Sequence, residues 1–113
     1  MTINSTGAVF FYPETNATLV CTSASANVNI GAAGDVLVIS NVGTVEAFIG
    51  WGIDSTASIT AGGTVTAAGT STIGMSIAPG IVQTLRAVPS TPFISGITNA
   101  GTTTLRISRG SGQ

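Results

Sequence analysis

Four carboxylates, three guanidinium groups and one thiol are the side chains in this chain of 113 residues that carry charge near neutrality or a sulfur nucleophile. They are Glu14, Asp35, Glu46, Asp54, Arg86, Arg106, Arg109 and Cys21; histidine and lysine are absent. Without histidine, and with a single cysteine, Ser–His–Asp triads, Cys–His pairs and the usual zinc sets cannot be assembled. The acids are too scattered in sequence to mark a carboxylate pair for glycoside hydrolysis, and no loop has the acid density of a calcium site, Asp35 and Asp54 included. The glycine-rich stretch Ala61-Gly62-Gly63-Thr64 lacks the following lysine and the strand-to-helix setting of a phosphate cradle, so it reads as a turn. Three arginines without lysine make a poor footprint for nucleic acid, whose binding rests on several phosphate contacts. The reading is a chain that is not an enzyme and takes no cofactor, metal or nucleic acid.

What remains is contact chemistry. Only 6% of residues are charged, against about 25–35% for the surface of an ordinary soluble domain. Most of the surface must then be Ser, Thr, Gly, Asn and apolar groups, which suits a surface that another protein covers. The candidate contact residues are the aromatic cluster Phe10, Phe11 and Tyr12, the single tryptophan Trp51, and the donors Arg86, Arg106 and Arg109. Trp51 lies between Gly50 and Gly52, where its ring can either plug the end of a core or form a platform for a ligand. Arg106 falls on the polar face of the last strand and Arg86 on the polar face of another, so both are placed to meet a partner's carboxylates. Cys21 reads as a small buried apolar side chain, since no internal disulfide is possible.

The elements that position these residues are strands. The composition is rich in Ser, Thr, Gly, Ala, Val and Ile, which disfavours helices. Residues 1–16 form an N-terminal arm interrupted by Pro13, and residues 17–110 a single β-sandwich domain. Strands are expected at 17–23, 36–39, 45–51, 72–77, 81–87, 93–98 and 102–109, with a short strand or loop near 28–30. The run Val36-Leu37-Val38-Ile39 reads as a central strand buried on both faces. Three hairpins are expected, turned at Asn41–Thr44, Ala78-Pro79-Gly80 and Asn99-Ala100-Gly101. The stretch 53–72 holds nothing large enough to anchor a core and reads as a loop or weak edge hairpin. Seven or eight short strands at spacings of about ten residues predict an all-β antiparallel sandwich of jelly-roll type. No basic leader or membrane-length apolar run opens the chain, so it is expected to stay in the cytoplasm of the cell that makes it, with no membrane association.

The progression Cys21–Val28, Val38-Ile39-Ser40-Asn41-Val42-Gly43, Ala47-Phe48-Ile49-Gly50-Trp51-Gly52, Met75–Gly80 and the ending Gly101–Gly110 resembles small tailed-bacteriophage virion proteins. Specifically, it is similar to capsid decoration (cement) proteins of β-sandwich or jelly-roll type. That resemblance implies a structural role on the outside of a phage head, with the major capsid protein and further copies of the chain (a dimer or trimer) as partners. It transfers no catalytic residue. The rival expectation is a tail-fibre or baseplate tip that grips a cell-surface glycan through Trp51, Phe48 and the 53–72 loop.

Overall fold

The computed structural model of the chain describes residues 11–60, 64–65, 74–87 and 90–112. Ten strands follow in order: β1 (Phe11–Cys21), β2 (Ala26–Asn29), β3 (Val36–Asn41), β4 (Ala47–Gly52), β5 (Ile59–Thr60), β6 (Thr64–Val65), β7 (Gly74–Ile77), β8 (Val82–Arg86), β9 (Phe93–Ile97) and β10 (Thr103–Gly112). Eight of them form two four-stranded antiparallel sheets, β1-β10-β3-β8 and β2-β9-β4-β7, and β5 pairs with β6 as a separate ribbon. The all-β antiparallel sandwich expected from the spacing is the observed architecture.

The connectivity is that of a jelly roll. Pairing is nested, with β1 against β10, β2 against β9, β3 against β8 and β4 against β7. Successive pairs alternate between the two sheets. This is one long hairpin wrapped around a core, with the β5–β6 ribbon inserted at its tip. The nesting corrects all three expected hairpins. The segments flanking Asn41–Thr44 are β3 and β4, those flanking Pro79-Gly80 are β7 and β8, and those flanking Asn99–Gly101 are β9 and β10. In each case the two strands lie in opposite sheets. The turns reverse the chain as expected, but they bridge the roughly 10 Å between sheets instead of closing a ladder.

Alternation decides what is inside. Leu19, Cys21, Leu37, Ile39, Ile49, Trp51, Ile77, Ile94, Leu105 and Ile107 meet between the sheets as one buried cluster. The sheets approach so closely that a Cβ on Gly96 would lie 2.6 Å from Cys21 Sγ and 2.9 Å from Leu19 Cδ2. Cys21 is fully buried as expected, and burial pushes its thiol up to about 11.

Three further differences from the sequence reading have local causes. The first strand begins at Phe11, not Ala17, so residues 11–16 of the expected arm belong to β1; residues 1–10 lie outside the described residues. Pro13 is tolerated because β1 is an edge strand, and the register slips between Pro13 and Thr15 to leave Glu14 as a bulge. β3 is central but not buried on both faces, since Leu37, Ile39 and Asn41 are buried while Val36, Val38 and Ser40 are only half-buried. The 53–72 stretch does anchor a core: Ala57 and Ile59 are buried, and Ile59 packs with Ile97 and Phe48 in a second small cluster.

Candidate docking face

The two outer faces of the sandwich are unlike each other. On the β2-β9-β4-β7 sheet, the outward positions include Asn27, Phe48, Gly50, Ser95 and Ile97, and residues 53–59 lie across them. Asn27 Nδ2 donates to the carbonyls of Ser55 and Ala57 at 2.9 and 3.0 Å, and Ile59 N donates to Ser25 Oγ at 2.9 Å. Ser95 and Ile97 are buried as a result, although they point away from the main core. The chain covers this face itself.

On the β1-β10-β3-β8 sheet, nothing among the described residues lies over the outer face. Its cross-strand rows follow from the registers. Thr18, Arg106, Ser40 and Val82 form one row, and Asn16, Ser108, Val38 and Thr84 the next. Val20 pairs with Thr104 above them, and Val42, whose N–H donates to the Thr104 carbonyl at 3.0 Å, extends that row. Val36 pairs with Arg86 and Gly110 at the other end. Val20, Val42 and Val82 are each at least half exposed, Val82 at 62%. The face is therefore a plane of valines and hydroxyls. A groove of about 320 Å³ runs between β1 and β10, lined by Asn16, Ala17, Thr18, Arg106, Ile107 and Ser108.

Its charge is one-sided. The cross-strand rows around Arg106 carry Arg86 and Arg106 and no acid. Arg86 is paired with Asp35 at 3.7 Å across an exposed corner, a contact worth little. Arg106 is exposed and has no ion pair or side-chain hydrogen bond among the described residues. Glu14 sits on the β1 bulge at the rim, and Glu46 lies in the β3–β4 turn. Asp54 is turned to its own loop, where the Thr56 hydroxyl and then the Thr56 N–H donate to Oδ1 and hold its carboxyl below the usual value. No group of three or more metal-ligating side chains comes together among the described residues.

The structure separates the residues singled out from sequence. Phe10 lies outside the described residues. Phe11 is half-buried and Tyr12 is 68% exposed, at the end of β1 opposite Gly112 and Ser111. Arg86 and Arg106 share the outer face. Trp51 does not belong to any surface: it is 6% exposed within the main core, and its Nε1 has no hydrogen-bond partner among the described residues. β4 alternates so that Trp51 turns inward with Ala47 and Ile49, which takes it out of the glycan platform, and Phe48, the other aromatic of that reading, is half-buried against Ile59 and Ile97. Arg109 is also corrected, being 4% exposed. Its alternation turns it inward opposite Leu37, where Nε donates to the Gly34 carbonyl at 3.1 Å and one Nη to those of Gly31 and Thr91 at 2.9 and 3.2 Å. It satisfies loop carbonyls that close one end of the sandwich.

No family model matches the chain, and no curated protein matches it by sequence. Among solved structures, the crystal structure of PirA is 16% identical with a TM-score of 0.47, covering 86% of this chain and 94% of that one. A protein of the Bacillus endospore appendages, described as a family of disulfide-linked pili, is 13% identical with a TM-score of 0.46, covering 96% of each chain. At these scores neither likeness bears on what this chain does.

Alternation sets Val20 beside Thr18 and Val82 beside Thr84 and Arg86, but sequence reasoning did not single out Val20, Val42 or Val82 as contact residues. The signal was there in the valines of Val36–Ile39 and in Val20 and Val82, which take outward positions that a free sheet gives to polar residues.

Proposed function

We propose that this chain is a non-enzymatic structural protein that docks through the outer face of the β1-β10-β3-β8 sheet onto a repeated protein lattice, as a decoration protein on the outside of a tailed-phage head. The observation that carries this reading is the contrast between the two faces. One is covered by the chain's own residues 53–59, while the other presents Val20, Val42 and Val82 among hydroxyls. The sequence resemblance to phage decoration proteins favours the head as the lattice and the major capsid protein as the partner. A contact of this kind takes its free energy from area repeated over many symmetry-related copies, and it needs apolar and hydroxyl groups more than charge. Low net charge also limits repulsion between crowded copies. On this reading the protein is made in the host cytoplasm and ends on the virion exterior, with dimer or trimer formation using another surface.

The test is co-sedimentation with phage shells stripped of their decoration protein. Wild-type chain should saturate the shells at a fixed stoichiometry and raise their heat resistance. Val82→Asp and Val20→Asp, both at exposed positions, should lower occupancy at least tenfold without altering the fold. Wild-type protein that leaves shells unsaturated, or aspartates that bind as well as wild type, would end this reading.

A further inference from the structure

We infer that Arg106 is the centre of a subsite for a carboxylate carried by the partner protein, set in the groove between β1 and β10. This rests on the reading of that sheet face as the docking surface and adds the chemistry of what sits there. Arg106 stands on an inner strand, flanked in its row by Thr18 and Ser40, not at the rim where an arginine could turn to water. Covering the face takes the guanidinium out of water, and a desolvated charge without a counter-charge opposes binding. Among the described residues no carboxylate pairs with it: Asp35 serves Arg86, Asp54 is turned to Thr56, Glu14 sits on the β1 bulge beyond the rows around Arg106, and Glu46 lies in the β3–β4 turn. The counter-charge must come from the occupant.

The neighbouring groups fit a carboxylate. Ser108 Oγ donates to Asn16 Oδ1 at 2.6 Å, which leaves Asn16 Nδ2 as a donor on the groove, and the Thr18 hydroxyl lines the same groove. A planar guanidinium with two flanking donors suits a planar two-oxygen acceptor. The surrounding Val20, Val42 and Val82 select a protein surface over a free anion or a nucleic acid backbone, because they offer apolar area that a polyanion does not use. Two-fold packing of this face on a second copy is disfavoured, since the rows around Arg106 would set it against Ser, Thr, Asn, Val or Arg and no carboxylate.

The absence of lysine makes a direct test available. Arg106→Lys places the chain's only side-chain amine on the groove. Treating shells decorated with this variant with a carbodiimide should join that amine to a shell-protein carboxylate, identified by mass spectrometry, with no such product from wild type. Arg106→Glu should lower shell occupancy at least tenfold, and added salt should weaken wild type more than Arg106→Gln. The inference falls if the decorated variant gives no cross-link, if the cross-link joins two copies of the chain, if Arg106→Glu binds like wild type, or if Arg106-dependent retention appears on heparin or DNA instead. Shells that retain wild type and lose Val82→Asp, yet ignore Arg106→Glu, would leave the docking face standing and remove the carboxylate. Shells that ignore wild type remove both.

Discussion

Replacing Asn41 by alanine should lower stability by about 3–5 kcal/mol, because this one buried side chain ties both sheets together. Its Nδ2 donates to the carbonyls of Val45 at 2.9 Å and Ile77 at 3.0 Å, and its Oδ1 accepts from Gly43 N at 3.1 Å and Thr103 Oγ1 at 2.6 Å. The bonds to Ile77 and Thr103 are buried, so each partner left unsatisfied costs about 1–2 kcal/mol, the lower part of the range for a buried polar group because water can enter the space the side chain leaves; the bonds to Val45 and Gly43 are partly exposed and cost about 0.5 kcal/mol each once water replaces them. A domain of this size has roughly 5–15 kcal/mol in all, so the loss is large but survivable. At about 4 °C per kcal/mol, the thermal midpoint should fall by about 12–20 °C in circular dichroism melts, whereas Asn99→Ala at an exposed turn should shift it by less than about 2 °C. Asn41→Asp sharpens the test, because it keeps the acceptor for Gly43 and Thr103 but turns a carboxylate oxygen towards two carbonyls. Its folded-state pKa must rise above the usual value of about 3.9. The variant's stability should therefore be greatest relative to wild type below that value and be lost as pH rises through the raised one. An Asn41→Ala midpoint within about 3 °C of wild type, or an Asn41→Asp pH profile parallel to it, would refute the account of Asn41 as the tie between sheets.

Gly96→Ala should cost about 1–3 kcal/mol by overpacking against Cys21 and Leu19, and Cys21→Ala should recover a measurable part in a double-mutant cycle by denaturant unfolding. A cycle with no coupling would show that the sheets separate there. The Cys21 thiol, buried and raised to about 11, should resist an aromatic disulfide reagent in the native state and react at once on unfolding. Because its folded pKa lies above the unfolded value, its contribution is complete below about pH 9 and fades between that and pH 11. Cys21→Ala should accordingly flatten the alkaline limb of the stability curve. Arg109→Met should destabilise by about 2–4 kcal/mol through three orphaned carbonyl contacts, while Arg86→Ala at the exposed ion pair should change stability by less than about 0.5 kcal/mol; equal effects in thermal melts would contradict the assigned burial.

How far the sequence could be read follows from what strand alternation does and does not encode. Period two placed Leu105 and Ile107 inside and Arg106 outside, and it identified the sandwich, because side-chain direction is a local property. Pairing partner is not local. Asn41–Thr44 and Asn99–Gly101 carry the composition of hairpin turns, yet they arch between sheets. What sends them across is contact with distant residues: Asn41 with Ile77 and Thr103, and Gly43, where an added Cβ would collide with Thr103. Arg109 obeyed alternation too, and a strict count from Ile107 puts it inward; the expectation that an arginine stays in water overrode the count. The loop carbonyls of Gly31, Gly34 and Thr91 that accept it come from positions far along the chain. The run Val36–Ile39 is the most informative failure. Its composition asks for burial on both faces, and the fold of one chain buries only one of them. Nothing among the described residues covers the outer valines of β3, and on the docking reading proposed above the sheet face around Arg106 is where a second protein meets that demand.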